Sequence, residues 1–404
     1  MSLPPLTAEQ MVKPRAFELR MSFIYAAGFL SGGIHLPYLP LWLEANGLGP
    51  EQIAVILGAP IFLRGFTTSL ITAFADRAKD RANVMVVMAG GSLIVSLGYF
   101  LDHSYLTVLI VSLLLAIFMT PHATVTDSLA LSGVRRFRSN YTSMRIWGSI
   151  AYFCANFVGG LVLAAAGVGS VPIMISLTFV AWLAATLFAP RLGPPRKAMP
   201  MPDVSLRKTD DALFEPRLLL LVIAAGLIVG SHGFLYAFSS IYWKSIGLSS
   251  PMIGALWTSA VVAEVGMFLV FNRVFGRRSV GMMLAVSAAT SIVRWCLYPL
   301  VLPLGLGTIG FFLAQSLHAF TVGLMLISLQ KLIAESIAEE KTGRAQAVAY
   351  FANGMAMAAV TLISGPLYQR FEQNGFYAMA GVSAIALGMV LYSRRYPHSA
   401  GKGG

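Results

Sequence analysis

The sequence predicts an all-α membrane protein of twelve transmembrane helices arranged as two six-helix bundles. Three observations lead there: the composition, a series of bilayer-length apolar runs, and a repeat relating the two halves. Of 404 residues, 57% are hydrophobic and only 11% charged, with a mean hydropathy of +0.73. A soluble protein carries about 25% charged residues. Apolar runs of roughly 17–25 residues can span a bilayer. Backbone polar groups in lipid need internal partners, so such runs must be helices.

The elements follow in order. A tail, residues 1–19, holds Pro4, Pro5 and Pro14 and lacks the apolar h-region of a cleavable signal, so the first run (20–43) is expected to serve as an uncleaved insertion signal. Runs at 51–74, 82–101, 105–131, 141–165 and 170–190 complete a first bundle over 20–190. Residues 191–213, rich in proline and charge, read as a cytoplasmic linker. The second bundle, 214–396, contains runs at 216–240, 251–274, 279–300, 305–333, 344–368 and 374–394, and residues 397–404 form a second tail.

The net charge of +12 would suit nucleic acid if it formed one patch, but it does not. Lys13, Arg15 and Arg20 precede the first run, and Arg77, Lys79 and Arg81 follow the second. Arg135, Arg136 and Arg138 follow the fourth, and Arg191, Arg196, Lys197, Arg207 and Lys208 lie between the sixth and seventh. Arg273, Arg277 and Arg278 follow the eighth, Lys341 and Arg344 the tenth, and Arg394 and Arg395 the last. The alternate connections carry only Lys244 and Arg370. This positive-inside pattern puts both termini in the cytoplasm and leaves no role for nucleic acid. The expected location is a bacterial inner membrane. Cys154 and Cys296 both fall within runs, which supports neither a disulfide framework nor a cysteine metal site.

Residues 47–64 and 247–264 read as two copies of one unit. Gly47-Leu48, Ile53 and Arg64 match Gly247-Leu248, Ile253 and Glu264, and the register continues through Gly33/Gly233 and Arg77/Arg277. Six plus six helices, parallel repeats and a basic central loop describe the major facilitator architecture, in which a solute site forms near the midplane. The loop Asp76-Arg77-Ala78-Lys79-Asp80-Arg81 resembles that superfamily's signature between helices two and three, with Asp76, Arg77 and Arg81 as candidate gating residues. Thr72 stands where a glycine is usual, and Lys79-Asp80 replaces Gly-Arg.

A charge at a helix centre costs roughly 2.5–3.5 kcal/mol on insertion scales, so such residues face a bundle interior or a water-filled cavity. Arg64, Glu264, Arg294 and His318 lie deep in their runs, and Asp127 and Arg145 flank the fourth connection, where they could pair. Glu264 is the candidate proton site, since a carboxyl drawn out of water binds protons more readily. The plainer alternative is a permanent salt bridge from Glu264 to Arg294 or Arg64. Arg145, Ser149, Tyr152 and Asn156 fall on one helical face, as do Gln315, His318, Thr321 and Met325, and His232, Tyr236, Ser239 and Trp243. Interhelical hydrogen bonding explains most such stripes. Arg145 stands apart because a guanidinium offers bidentate donors to a carboxylate, with Trp147 as a stacking surface beside it and Trp295 beside Arg294. Among His35, His122, His232 and His318, only His318 stands in an otherwise polar stripe. Phosphate-loop, H-E-x-x-H and G-x-S-x-G motifs are missing, so an ATP-driven pump and the corresponding hydrolases are not indicated.

These residues resemble the 3-phenylpropionic acid transporter family of the major facilitator superfamily. The resemblance rests on Arg145-Ile146-Trp147-Gly148-Ser149, on Tyr242-Trp243 with Gly247-Leu248-Ser249, on Gly254-Ala255-Leu256-Trp257 leading to Val261-Val262-Ala263-Glu264, and on Arg294-Trp295 with Gln315, His318 and Thr321. That branch is related to the oligosaccharide:proton symporters, the lactose permease group. By position, Asp127, Arg145, Glu264, Arg294 and His318 match the group's charged pattern. Its additional lysine and carboxylate on the tenth helix are replaced by Ala314, Leu317 and Val322 here, and Glu335 lies too near the cytoplasmic end to substitute, which implies a shorter proton path.

The expectation is therefore a non-enzymatic, proton-coupled symporter importing a small organic solute, with an aromatic carboxylate such as 3-phenylpropionate the leading choice. Asp127, Arg145, Trp147, Ser149, Tyr152, His232, Tyr236 and Asn353 are expected to bind solute, and Glu264, Arg294, His318 and Arg64 to couple protons. A sugar would use Asp127, Asn353 and a tryptophan face instead. Drug efflux and a non-transporting receptor are the remaining alternatives. Expected partners are the solute, protons and the lipid bilayer; the chain is expected to be a monomer and to need no cofactor or metal.

Overall fold

A computed structural model describes residues 11–193, 215–337 and 342–396. Residues 1–10, most of the expected linker with Arg196, Lys197, Arg207 and Lys208, Lys341, and the expected tail 397–404 lie outside the described residues. The described chain is helical, without strands: α1 (Phe17–Ala45), α2 (Pro50–Arg77), α3 (Arg81–Ser96), α4 (Tyr105–Met119), α5 (His122–Phe137), α6 (Tyr141–Ala166), α7 (Val171–Leu187), α8 (Pro216–Gly230), α9 (Gly233–Ser245), α10 (Ser250–Val274), α11 (Val280–Leu300), α12 (Gly307–Ser316), α13 (Leu324–Ser336), α14 (Thr342–Phe371) and α15 (Phe376–Tyr392). Among the described residues, ten stretches are long and apolar enough to cross a membrane. Phe17–Ala45 is not among them, and the tenth, Arg344–Arg395, takes in nearly all of α14 and the whole of α15.

Three runs expected as single helices are interrupted. The 105–131 run breaks between α4 and α5 at Thr120-Pro121, because proline has no N–H to continue the ladder. The 216–240 run breaks between α8 and α9 for a side-chain reason. Ser231 Oγ (2.7 Å) and His232 Nδ1 (2.9 Å) both donate to the Ile228 carbonyl, so the His232 N–H turns to Val229 O at 3.1 Å. Such side chains compete directly with the helix ladder. The 305–333 run contains a π-helical turn, Ala319–Gly323, between α12 and α13. Ser287 Oγ of α11 donates there to the carbonyls of Phe320 (2.9 Å) and Thr321 (2.8 Å).

The repeat is visible in backbone detail. Gly47 and Gly247 have φ +80 and +88, a left-handed conformation that glycine adopts without a Cβ penalty. Leu48 N–H reaches Leu43 O at 3.2 Å, and Leu248 N–H reaches Trp243 O at 3.0 Å. These are matching Schellman caps. Gly33 and Gly233 mark close crossings: a Cβ on Gly33 would lie 2.6 Å from Tyr152 O in α6, and one on Gly233 would lie 2.7 Å from Thr361 Oγ1 in α14.

The described residues divide into two compact units. One draws on Met1–Leu48, Leu63–Val204 and Ser249–Gly254; the other draws on Gly49–Phe62, Ser205–Leu248 and Ala255–Gly404. The start of α2 thus belongs with the second unit and the start of α10 with the first. Within the first unit α1 packs on α6 and α7, and α3 on α7; within the second, α8 packs on α14 and α15, and α11 on α15. The same pairing appears in each unit, in keeping with the repeat in the sequence. The second unit has a buried core that includes Leu221, Ile228, Met283, Leu284, Met325 and Leu329.

Candidate functional site

Each unit brings together its own polar cluster. In the second unit the centre is Arg294 of α11, which is 0% exposed. Its Nη2 donates to Gln315 Oε1 at 2.6 Å, and its Nη1 lies 3.0 Å from His232 Nε2, 3.1 Å from His318 Nδ1 and 3.1 Å from Thr321 Oγ1. Gln315 Oε1 also accepts from Tyr298 Oη (2.9 Å), and its amide donates to the Leu256 carbonyl (3.1 Å). The Trp295 ring centroid is 4.8 Å from the guanidinium carbon, and its indole N–H is held by Ser231 Oγ at 2.9 Å.

The network determines the histidine tautomers. His232 Nδ1 faces a carbonyl and must carry the hydrogen, which leaves Nε2 to accept. His318 is the reverse: Nδ1 accepts from Arg294, so the hydrogen sits on Nε2, which points to Glu264 Oε2 at 3.6 Å. Gly323 opens the space beside Glu264, since a Cβ there would meet Glu264 Cγ at 3.2 Å. Among the described residues, His318 is the basic side chain within 4.0 Å of a Glu264 carboxylate oxygen, and it stands there as a neutral imidazole rather than as an ion-pair partner. The alternative of a permanent bridge from Glu264 to Arg294 or Arg64 is not what forms, because Arg294 spends its donors on neutral acceptors. Arg64 lies on an exposed face with no ion pair among the described residues. Gln315, His318 and Thr321 act together as their stripe suggested; Met325 goes to the apolar core, on the far side of the π turn.

In the first unit Asp127 Oδ1 accepts from Tyr25 Oη at 2.6 Å and from Tyr141 Oη at 2.9 Å. The expected Asp127–Arg145 pair is absent, since two phenols satisfy the carboxylate. The Arg145 guanidinium rests on rings instead, 4.2 Å from the Phe29 centroid and 5.6 Å from that of Tyr25. His122 stands edge-on to Phe29 and Trp182 at 5.3 and 5.4 Å, with Nδ1 on the Met119 carbonyl at 2.8 Å.

Several expected residues go elsewhere. Trp147 is 50% exposed and away from Arg145, because residues two apart on a helix do not face each other. Ser149 is half-buried, and Tyr152 packs against Gly32 of α1. Asn156 is fully buried, its carbonyl accepting from Tyr38 Oη. The Tyr236 ring lies tilted beside those of His232 and Trp257, with centroids 6.0 and 5.8 Å away. Asn353 lies on α14 beside Gly226 of α8, outside the Arg294 network. Across the α2–α3 connection, Asp76 in the last turn of α2 and Arg81 at the start of α3 form an ion pair at 2.6 Å, and Arg81 reaches Ser132 Oγ at 3.1 Å, while Arg77 is exposed. Asp80 caps α3 through Ala82 N–H (2.8 Å) and accepts from Gly193 N–H (2.9 Å).

Tyr25, Phe29, Tyr141 and Ser287 were not singled out by the sequence. The signal for three was present: Tyr25 and Phe29 are one turn apart on α1, and Tyr141 extends the Arg145 face by one turn. Ser287 had none, because its role depends on a π turn in another helix.

The sequence matches the MFS_1 like family over residues 18–379. The chain belongs to that family. It is 28% identical over 370 residues to a "Probable 3-phenylpropionic acid transporter" of Escherichia coli (strain K12), covering 90% of this chain and 94% of the relative. It is 24% identical over 369 residues to the "Maltose permease" of Geobacillus stearothermophilus, covering 90% and 91%. The crystal structure of the nucleoside transporter NupG superposes with a TM-score of 0.80 at 14% identity, covering 95% of this chain and all of that one. A POT family transporter in complex with a thioalcohol-conjugated peptide gives 0.74 at 12%, covering 96% and 99%. At those identities the structures speak for the fold alone. This MFS_1 like protein is a multi-pass membrane transporter of the major facilitator kind, not an enzyme, and the family resemblance read from its residues holds.

Proposed function

We propose that this transporter is a proton-coupled symporter that imports an aromatic carboxylate, such as 3-phenylpropionate, across a bacterial inner membrane by alternating access. The observation that carries the reading is Arg145: a half-buried guanidinium with no ion-pair partner among the described residues, lying on Phe29 and Tyr25. It offers a carboxylate two parallel donors beside the ring surfaces an aryl group needs. The named activity of the Escherichia coli relative is consistent with that chemistry. In the second unit, Glu264 is the proton carrier, His318 its neutral neighbour and Arg294 the fixed positive charge. Twelve spans, two six-helix bundles, cytoplasmic termini and a monomeric state belong to the same reading, as does gating at Asp76 and Arg81.

Moving one charge against 100 mV costs about 2.3 kcal/mol. A monoanion entering with one proton is electroneutral, so a pH gradient drives it. The maltose permease relative keeps a sugar as the second reading. The test is uptake of labelled 3-phenylpropionate and of maltose into proteoliposomes, with and without an inward proton gradient. Gradient-dependent accumulation of the acid, above passive entry of its neutral form, supports the reading. Accumulation of the sugar alone replaces the solute, and acid uptake indifferent to the gradient removes the coupling.

A further inference from the structure

Asp127 and Arg145 carry opposite charges and share a neighbour, yet they do not pair. Tyr25 touches both: its ring lies 5.6 Å from the Arg145 guanidinium carbon, and its hydroxyl donates to Asp127 Oδ1 at 2.6 Å. Tyr141 stands one helical turn before Arg145 on α6 and donates to the same oxygen at 2.9 Å. The two tyrosine rings meet edge-to-face at 6.4 Å and brace each other. Hydrogen bonds to an ionised carboxylate are roughly twice as strong as neutral ones, so two phenols on one carboxylate oxygen compete effectively with an arginine. Arg145 is left on the Phe29 face at 4.2 Å, with its forked donors unspent on protein acceptors among the described residues.

We propose that Tyr25 and Tyr141 are positioning residues that make the first-unit site selective for anionic solutes, by holding Asp127 off Arg145. The pair acts through Asp127 and not by touching the solute. An Asp127–Arg145 ion pair would neutralise the cation and occupy the face a ligand's carboxylate needs. With the phenols in place, the cation stays open beside an acid that is already engaged. This rests on the carboxylate reading above and adds the device that enforces it. The same arrangement works against a neutral polyol, which would gain from a carboxylate free to accept its hydroxyls.

The experiment is equilibrium titration of the full-length protein in lipid nanodiscs with 3-phenylpropionate and, separately, with maltose. Three forms are compared: wild type, the Tyr25→Phe/Tyr141→Phe double variant, and the same double variant carrying Asp127→Asn. The double variant should bind the acid about tenfold or more weakly, the loss expected when a charged partner is taken up by another group. Adding Asp127→Asn should bring affinity back to within about threefold of wild type, because nothing then competes for Arg145. This rescue separates the lock from a folding defect, since the triple variant retains both phenylalanines. Unchanged affinity in the double variant overturns the proposal, and so does a triple variant as weak as the double. Wild type that binds maltose and not the acid instead overturns the carboxylate reading, and the selectivity assigned to the tyrosines falls with it.

Discussion

Replacing Glu264 with glutamine removes the acid that balances the buried Arg294 charge, and the structure sets the size of the effect. Arg294 Nη1 is 3.1 Å from His318 Nδ1, and His318 Nε2 is 3.6 Å from Glu264 Oε2. Across the imidazole, the two charges are therefore within about 9 Å, an attraction of about 2 kcal/mol at an effective dielectric of 20. Removing a charge costs more than the pair is worth where it strands a buried partner, and Arg294 is such a partner. Glu264→Gln and Arg294→Met should each destabilise the protein, and the double variant should be less destabilised than their sum by about 2 kcal/mol. The assay is unfolding of the purified variants in one fixed lipid environment, read as a double-mutant cycle. The charges must interact through neutral His318 for this to hold. Strict additivity, with a coupling below about 0.5 kcal/mol, would refute the link between Glu264 and Arg294. Glu264→Gln should also abolish uphill uptake while sparing solute exchange at equal pH; preserved uphill uptake would move the proton site elsewhere.

Arg145→Leu should weaken carboxylate binding by about 10- to 100-fold, the worth of a charged hydrogen bond, and Arg145→Lys should recover only part of it because the planar fork is lost; titration with 3-phenylpropionate measures both. Gly33→Ala and Gly233→Ala should each destabilise by about 1–3 kcal/mol through overpacking, since the new methyl would sit 2.6 Å from Tyr152 O or 2.7 Å from Thr361 Oγ1; thermal unfolding reports it, and an unchanged melting point contradicts the tight crossing. Asp80→Ala should lower stability by about 1 kcal/mol for the lost cap of α3, with Asp80→Asn keeping most of it, again by thermal unfolding.

Most of the fold was legible because lipid removes choices. An apolar run of bilayer length can only be a helix, and the Gly47/Gly247 and Gly33/Gly233 pairs announced a duplicated plan that appears as matching caps and crossings. What the runs did not reveal were their interruptions. Pro121 was a local signal, but the α8–α9 break needs Ser231 and His232 to capture one carbonyl, and the π turn needs Ser287 from another helix. The deep charges were equally visible, since a charge in an apolar run stands out. Their partners were not: pairing depends on helix rotation, and the two pairings the sequence left open, Asp127 with Arg145 and Glu264 with an arginine, gave way to tyrosines and a histidine.

Alone, the amino-acid order determined a helical membrane transporter, its duplicated halves and the few ionisable residues placed where lipid would otherwise forbid them. These follow from transfer energies and backbone satisfaction, which act residue by residue along the chain. Tertiary structure decided which donor meets which acceptor: that Arg294 is shared among four neutral side chains, that His318 stands between it and Glu264, and that Tyr25 and Tyr141 engage Asp127. A hydrogen bond depends on tenths of an ångström and on the angle of each helix about its own axis. Those quantities are set only when all the helices of a unit have packed together.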